Sequence, residues 1–319
     1  AFRLQLVLGY NLELTKPVQS MLATDTVLHN KLFGPSDGYL YFMMGDGGGL
    51  GASEMSKLGL WDSYSISKDN PFSEDKNLHP EIGALGLRNP WRCSFDSQRS
   101  SYFFCADAGQ DQFEEVDLIT KGGNYGWRVY EGPYLSTLTE SPGGNTSLNS
   151  INPIRPILGH NHSEVNTNEG SASSTGGYVN RSTTDPCMYG RYFYTDLYAD
   201  EIWAGIEEPE NSGNFTTSKM HYSCAHDSPI QCDSVPESSL PALGYIYSFG
   251  EDNNKDVYIL ASTGVYRVAR PSHCSYTCSL AKKKATTTTP SHASCCWSYF
   301  SGYLFLHISS LLLLLIGFM

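Results

Sequence analysis

Basic residues are scarce in this sequence, which has 21 Lys and Arg against 33 Asp and Glu and a formal net charge of −12. A nucleic-acid backbone binds to a stripe of basic residues. The one basic run, Lys282-Lys283-Lys284, lies beside a hydrophobic C-terminal segment and is interpreted as a solvated flank. We therefore expect no nucleic-acid partner.

A sustained helical period is also missing, except in the C-terminal segment. Aromatic strands that run into polar turns recur instead, centred near Tyr41, Phe103, Phe193 and Tyr258. The chain is 13% aromatic, with 21 Tyr, which favours an ordered, strand-rich core. These patterns predict an all-β fold.

The C-terminal third shows the strand pattern most clearly. Segments 244–249, 256–261 and 265–268 predict a three-strand meander, with turns at Asn253-Asn254 and Thr263-Gly264. Many short hairpins suit a sandwich, a barrel or a propeller. The recurrence of one strand–turn–strand unit favours the propeller, although the spacing of the units is uneven.

The N-terminus lacks a signal peptide. It begins Ala1-Phe2 without Met, and Glu13 and Lys16 interrupt its only apolar stretch. Other features predict a secreted protein, so we expect further sequence ahead of residue 1.

Cysteines and sequons indicate an oxidising compartment. Cys93 and Cys105 flank a predicted strand turn and suit a cross-strand disulfide, Cys224 and Cys232 would close a short loop, and Cys274 and Cys278 flank a turn. Without Cys295 and Cys296 in the tail, seven cysteines remain, so either one thiol is free or its partner lies outside this chain. Four candidate glycosylation sites are present, at Asn145, Asn161, Asn180 and Asn214.

The C-terminus predicts a membrane anchor. A run rich in Thr, Ser and Pro at 285–294 precedes a mostly apolar segment, 297–319, after which no charged residue follows. A spanning helix usually has a basic cytoplasmic flank. Small residues, a spacer and an apolar tail favour a glycosylphosphatidylinositol (GPI) signal, with attachment at Ser294, over an ordinary transmembrane end.

Three loops rich in glycine and polar residues stand out. They are Gly45-Asp46-Gly47-Gly48-Gly49, the loop 85–92 with Leu87-Arg88-Asn89-Pro90, and the loop 109–127 with Glu114-Glu115-Val116-Asp117 and Lys121-Gly122-Gly123-Asn124-Tyr125-Gly126-Trp127. Taken singly, each suits ordinary turn chemistry. In this order they resemble the glucose/sorbosone dehydrogenase family, most closely its plant Hedgehog-interacting-protein-like branch.

The resemblance implies a six-bladed β-propeller, of which this chain holds about four blades' worth. On that basis residues 1–27 are a remnant of upstream blades and residues 28–271 are the dehydrogenase-like propeller. Residues 272–294 form a linker and residues 295–319 the GPI signal. The branch also implies the GPI anchor, and thus a location on the outer face of the plasma membrane.

The chemistry implied is oxidation of a sugar or other alcohol by pyrroloquinoline quinone (PQQ). His29 matches the family's base, and a His suits that role. Asp46 matches the acid that orients it. Arg88, Asn89 and Gln110 match quinone contacts, since an Arg fork suits carbonyl and carboxylate oxygens.

A calcium site is implied next to the quinone contacts. It comprises the backbone carbonyls of Asp111 and Gln112 and the side chains of Glu114 and Glu115, and hard oxygen ligands suit Ca²⁺. A solvated acidic turn is the alternative for the two glutamates. His160 and His162 form a His-x-His pair, for which an exposed loop is expected rather than a metal site.

A second function stays open. The turns 195–198 and 249–252 match positions where bacterial relatives meet PQQ with cations, yet here they are neutral or acidic. This favours a propeller without cofactor that binds an extracellular protein or glycan.

Overall fold

The structure is a computed structural model that describes residues 3–8, 28–37, 39–44, 65–66, 68–78, 80, 82–136, 151–165, 172–199, 201–226, 228, 243–274, 277–278 and 294–299. The described residues form nineteen strands, one four-residue helix, α1 (His162–Val165), and a 3₁₀ helix (Pro271–Cys274). The all-β prediction is confirmed.

The strands of the first half, in chain order, are β1 (Arg3–Leu8), β2 (Leu28–Phe33), β3 (Leu40–Met44), β4 (Ser65–Ile66), β5 (Ile82–Ala84), β6 (Pro90–Phe95), β7 (Phe103–Asp107), β8 (Phe113–Leu118), β9 (Tyr130–Glu131) and β10 (Tyr134–Leu135). Those of the second half are β11 (Leu158–Asn161), β12 (Ser174–Val179), β13 (Tyr192–Asp196), β14 (Ile202–Glu207), β15 (Phe215–Cys224), β16 (Ile246–Glu251), β17 (Val257–Ala261), β18 (Gly264–Ala269) and β19 (Ser294–Tyr299). The predicted meander is β16–β18.

Four sheets account for most of these strands. Sheet 1 contains β1 to β5, with β1 parallel to β3, β4 and β5. Sheet 2 has the antiparallel order β11-β8-β7-β6, sheet 3 contains β12 to β15 in order, and sheet 4 has the order β19-β18-β17-β16. Sheets 3 and 4 are joined by parallel pairing of β15 with β19.

The first strands of sheets 2, 3 and 4 pack side by side, since β12 contacts both β6 and β16. Two glycines in β12 permit this. A Cβ at Gly176 would lie 2.3 Å from the carbonyl oxygen of Arg92, and one at Gly177 would lie 3.0 Å from the ring of Phe249. The Ser94 hydroxyl donates to the Gly177 carbonyl at 2.6 Å. The three strands therefore form a continuous inner wall.

Disulfides tie these sheets. The predicted Cys93–Cys105 bridge is confirmed and joins β6 to β7. Cys278 bonds to Cys187, 91 residues away, rather than serving the local turn with Cys274. Cys224 and Cys274 are each in a disulfide as well, and Cys232 lies outside the described residues.

The candidate glycosylation sites differ in exposure. Asn214 is exposed in the turn before β15, and Asn161 is half-buried at the end of β11. Asn180 is fully buried, so the folded chain leaves no room for a glycan there, and we withdraw it as a candidate. Asn145 lies outside the described residues.

Ser294, the predicted anchor site, begins β19, where it pairs with His221. Lipid attachment there stays a prediction. Among the described residues, no helix is long and apolar enough to cross a bilayer. The apolar run at 300–319 lies outside those residues.

Asp185 is a fully buried carboxyl group near the Cys187–Cys278 bridge. Its Oδ1 accepts from the Cys187 N–H at 3.0 Å, whereas Oδ2 is buried and bonds to no group within the described part of the chain. Burial raises the pKa of Asp185 to about 6. Because the folded pKa is raised, ionisation weakens the fold as pH rises above about 4.

We expect Asp185→Asn to stabilise the protein at pH 7.5 by about 1–3 kcal/mol, since it removes a buried charge and keeps an acceptor for the Cys187 N–H. At pH 4.5 the folded wild-type carboxyl is protonated, so the gain there should be small. Thermal unfolding of both proteins at both pH values measures this. An equal effect at the two pH values would contradict it.

Candidate functional site

One end of sheets 2, 3 and 4, which we call the mouth, collects the loops singled out in the sequence. It is formed by the residues preceding β6, β12 and β16 and by the turns β7–β8, β13–β14 and β17–β18. Hydrogen bonds link adjacent turns: the Ser174 N–H donates to Glu114 Oε2 at 2.6 Å, and the Ser173 N–H donates to Asp196 Oδ2 at 2.6 Å. The mouth is thus a continuous surface.

Arg88 and Gln110 meet at the mouth. Arg88 Nε and Nη2 donate to Gln110 Oε1 at 3.0 and 2.6 Å, and Nη1 donates to the Ala108 carbonyl at 2.9 Å. The Arg88 guanidinium also lies over the Trp127 ring, 5.7 Å from its centroid. These contacts orient a cation at the surface of the mouth.

Asp107 fixes the loop that carries Arg88. Its Oδ2 accepts from the Arg88 N–H at 2.8 Å, and its Oδ1 accepts from the Asn89 N–H at 2.5 Å. Burial raises the pKa of Asp107 to about 7, although these two bonds oppose the shift. Asn89 Oδ1 is buried and accepts no hydrogen bond within the described ranges.

The segment 121–127 completes this arrangement. Backbone bonds join Leu85 to Gly123 and Tyr125, and the Trp127 N–H donates to the Gly86 carbonyl at 2.9 Å. Gly86 has a φ of +75°, and a Cβ there would lie 2.4 Å from Asn124 Oδ1, so glycine is required. Two of the three loops therefore converge at one place. The third, 45–49 with Asp46, lies outside the described residues.

His29, the predicted base, lies in β2, and its side chain is outside what the structure describes. Its relation to the mouth stays a prediction, as does the role of Asp46.

The predicted calcium ligands occupy different environments. Asp111 is exposed, whereas Gln112 is half-buried and its carbonyl accepts from the His162 N–H at 3.0 Å. The backbone N–H groups of the turn, at Gln110, Asp111, Gln112 and Phe113, all donate to Glu131 Oε1 at 2.8 to 3.1 Å. A carboxylate from β9 therefore organises this turn from within the protein.

Glu114 and Glu115 point to opposite faces of β8, as neighbours in a strand do. Both oxygens of Glu114 are engaged: Oε1 accepts from Gly109 N–H at 3.1 Å and contacts His162 Nε2 at 2.8 Å, and Oε2 accepts from Ser174. Glu115 instead lies with Asp107 and Asp117, and the carboxylate oxygens of these three buried residues are within 4.8 Å of one another. The alternative of a solvated acidic turn is excluded by their burial.

His160 and His162 are buried, so the expected exposed loop is wrong. His160 Nε2 lies 3.1 Å from Asp196 Oδ2, and its ring stacks on Trp203 at 4.8 Å. The His160–Asp196 contact joins sheet 2 to sheet 3, whereas the His162–Glu114 contact links α1 to β8 within sheet 2. The His160 imidazole therefore serves packing between the sheets.

The turns 195–198 and 249–252 lie at opposite ends of their sheets. The first is the β13–β14 turn at the mouth, whereas the second is the β16–β17 turn at the far end. Tyr198 at the mouth packs edge-to-face against Tyr245, with ring centroids 6.4 Å apart, and both rings are about 40% exposed (41% and 36%). Aromatic surface, rather than a cation, faces solvent there.

A cavity of about 370 Å³ lies at the far end, away from Arg88. Asp37, Tyr41 and Lys121 are among its lining residues, and they are already engaged: Tyr41 donates to Asp37 at 2.7 Å and Lys121 pairs with Asp69.

Asp107, Asp117 and Glu131 were not among the predicted site residues. For Asp117 a signal existed, because the two-residue period of a strand places it on the same face as Glu115. Asp107 ends the paired strand opposite Glu115. No local pattern indicates Glu131, whose contact with the turn is tertiary.

Comparison with protein families identifies a match to the glucose/sorbosone dehydrogenase model over residues 21–154. The Arabidopsis thaliana HIPL1 protein is 57% identical over 88% of this chain and 46% of its own length. The Homo sapiens Hedgehog-interacting protein is 25% identical over 81% of this chain and 35% of its own length. The chain thus spans less than half the length of these relatives.

Among solved structures, the soluble aldose sugar dehydrogenase of Escherichia coli aligns with a TM-score of 0.47 and 15% identity. The alignment covers 73% of this chain and 60% of that protein.

Proposed function

Because the chain belongs to the glucose/sorbosone dehydrogenase family, in the branch of the Hedgehog-interacting-protein-like proteins, we propose that its mouth binds a quinone and oxidises a CH–OH group of a sugar or other alcohol. The sheets would be blades of a β-propeller, and the inner wall of β6, β12 and β16 would line its axis. We further propose that the full-length protein acts outside the cell, held by a GPI anchor.

The observation that carries this proposal is the oriented Arg88. Gln110, the Ala108 carbonyl and the Trp127 ring hold its guanidinium at the surface of the mouth. A fixed guanidinium suits the carbonyl and carboxylate oxygens of a quinone. The donor set at the mouth therefore fits PQQ.

When bound, PQQ would supply a two-electron acceptor for the hydride of the alcohol carbon. The residues of this chain would bind the quinone and orient it and the alcohol. Arg88 would hold quinone oxygens, and Asp107 would keep the Arg88–Asn89 backbone in place. His29 would accept the hydroxyl proton, with Asp46 orienting it.

A second candidate function is favoured by the Tyr198–Tyr245 pair. An anionic tricarboxylate is best met by cations, yet sheets 3 and 4 present two exposed tyrosines at the mouth. Such a surface suits a neutral ligand. The alternative is a module that binds an extracellular glycan or protein without chemistry.

Quinone binding separates the two functions. We expect the full-length protein with PQQ and calcium to show an absorbance shift and sugar-dependent dye reduction. Arg88→Ala should weaken PQQ binding about 10- to 100-fold, because it removes charge-assisted hydrogen bonds. Arg270→Ala is the matched control, since Arg270 is exposed and follows β18 at the far end. Absence of binding at micromolar PQQ would overturn the enzyme proposal and leave the binding module.

A further inference from the structure

The cavity of about 370 Å³ at the far end lies between sheet 1 and sheet 2, opposite the mouth. Its walls come from four segments: the β2–β3 turn, β5, the β6–β7 turn and residues 119–121, which follow β8. Pockets that bind small molecules usually measure about 300–1,000 Å³. The size of this cavity therefore suits one small ring.

Backbone hydrogen bonds hold the walls of the cavity in place. The Gly34 N–H donates to the Tyr39 carbonyl at 2.8 Å across the β2–β3 turn. The Gly122 N–H donates to the Gly83 carbonyl at 2.7 Å, which ties the segment after β8 to β5. A ligand would therefore meet a preformed cavity and would not have to order these segments.

Aromatic rings form the apolar part of the lining. The Phe95 ring stacks on Phe103 with centroids 4.3 Å apart, and Tyr41 packs against both, at 5.2 and 5.5 Å. Tyr41 and Phe103 are buried, whereas Phe95 is half-buried. Packing of the three rings against one another gives the cavity a rigid apolar wall.

Hydroxyl and carboxylate groups form the polar part of the lining. Asp37 accepts from the Tyr39 N–H at 2.9 Å through Oδ1 and from the Tyr41 hydroxyl at 2.7 Å through Oδ2. A carboxylate can accept about four hydrogen bonds, so each oxygen of this exposed side chain retains capacity. Exposed hydroxyl side chains complete this part: Ser36, Ser100, Ser101 and Thr120.

The charges of the lining favour a neutral ligand. Asp37 and Lys121 are the charged residues among those that line the cavity in the described part of the chain. Lys121 Nζ pairs with Asp69 at 2.5 Å, so its charge is already compensated. The anionic side chain, Asp37, would repel an anionic ligand and accept hydrogen bonds from hydroxyl groups.

We propose that this cavity binds a neutral pyranose sugar. A pyranose has an apolar face of C–H groups and a rim of hydroxyls, which matches an aromatic wall opposite Asp37 and the serines. The carboxylate would accept from sugar hydroxyls, and the Ser and Thr hydroxyls would donate or accept. This site is separate from the mouth and does not depend on quinone binding.

Sugar binding can be measured by calorimetry on the full-length protein without added quinone. The probes are the neutral sugars D-glucose, D-mannose and D-xylose, and the anionic sugar D-glucuronic acid. We expect at least one neutral sugar to bind, and D-glucuronic acid to bind more weakly. Absence of binding by all three neutral sugars, or tighter binding of D-glucuronic acid, would overturn the proposal.

Two exposed serines of the β6–β7 turn give a matched pair of variants. Ser101→Trp should weaken sugar binding at least about 10-fold, because the indole fills part of the cavity. Ser97 does not line the cavity, so Ser97→Trp should change binding less than about twofold. Equal binding by the two variants would contradict a site at the far end.

Two further variants separate this cavity from the mouth. Asp37→Asn should weaken binding about 5- to 10-fold, because a neutral amide accepts a hydrogen bond more weakly than a carboxylate. Tyr198→Ala removes an exposed ring at the mouth and should leave this binding unchanged. Thermal unfolding shows whether each variant is folded, and Asp37→Asn decides the matter if Ser101→Trp is not. Loss of binding in Tyr198→Ala but not in Asp37→Asn would assign the sugar to the mouth and overturn the proposal.

Discussion

Replacing Asp96 with alanine is expected to lower the free energy of unfolding by about 3–5 kcal/mol. Asp96 is fully buried and accepts from Arg181 Nε at 2.8 Å, Arg181 Nη2 at 2.5 Å and Arg99 Nε at 2.7 Å. Arg99 also pairs with Glu207 in β14. The group links the β6–β7 turn to sheet 3, and its loss leaves the Arg181 charge buried without its partner.

The pH dependence of this network has a defined sign. Burial opposes ionisation of Asp96, but hydrogen bonds from Arg181 and Arg99 outweigh it and hold its pKa below the usual value. The pKa of Glu207 is lowered too, since the Gly213 N–H and Arg99 outweigh burial. A lowered folded pKa contributes stability above the unfolded value of about 4, and that stability is lost as pH falls further.

Urea unfolding at pH 7 and pH 3 measures both effects. The difference in free energy of unfolding between wild type and Asp96→Ala should be large at pH 7 and smaller at pH 3. Glu201→Ala is the control, because its ion pair with Lys219 is solvent-exposed and should cost less than about 1 kcal/mol. Equal losses in free energy of unfolding for Asp96→Ala and Glu201→Ala would show that the buried network does not join the sheets.

Gly176→Ala is expected to destabilise the fold by about 3 kcal/mol or more. The added Cβ would lie 2.3 Å from the Arg92 carbonyl oxygen, and Tyr192 Oη and Ala106 Cβ lie at 3.0 and 3.1 Å. Relief requires β6 and β12 to separate, because the nearest atom belongs to the backbone. Overpacking of this kind usually costs about 1–3 kcal/mol, and a rigid neighbour raises the cost.

A second strand glycine provides the control for this prediction. At Gly250 in β16 the nearest atom to an added Cβ is Tyr258 Cβ at 4.0 Å, so Gly250→Ala should change stability little or raise it by up to about 1 kcal/mol. Chemical denaturation compares the two variants. Similar stabilities would mean that the inner strands tolerate a wider spacing. Arg92 lies in β6, four residues after Arg88. A displacement of Arg92 should therefore shift Arg88, so Gly176→Ala should also weaken ligand binding at the mouth.

Strand content and the Cys93–Cys105 bridge could be predicted from residue pattern, whereas the convergence of two glycine-rich loops followed only from the family resemblance. The first two depend on neighbours in the chain: alternation along a strand and a turn between two cysteines. Local signals of this kind act over a few residues, so they can be predicted from the amino-acid sequence.

Contacts between residues distant in the chain could be identified only from the three-dimensional structure. Cys278 joined Cys187 instead of a neighbour, His160 and His162 were buried by carboxylates from other strands, and Asn180 was hidden. Likewise, the family resemblance implied a ligand role for Glu114. Folding engages its oxygens with three groups distant in the chain or across a turn, whereas neither carboxylate oxygen of Asp117 has a hydrogen-bond partner among the described residues. Burial and long-range pairing depend on which surfaces pack together, and no short segment encodes that.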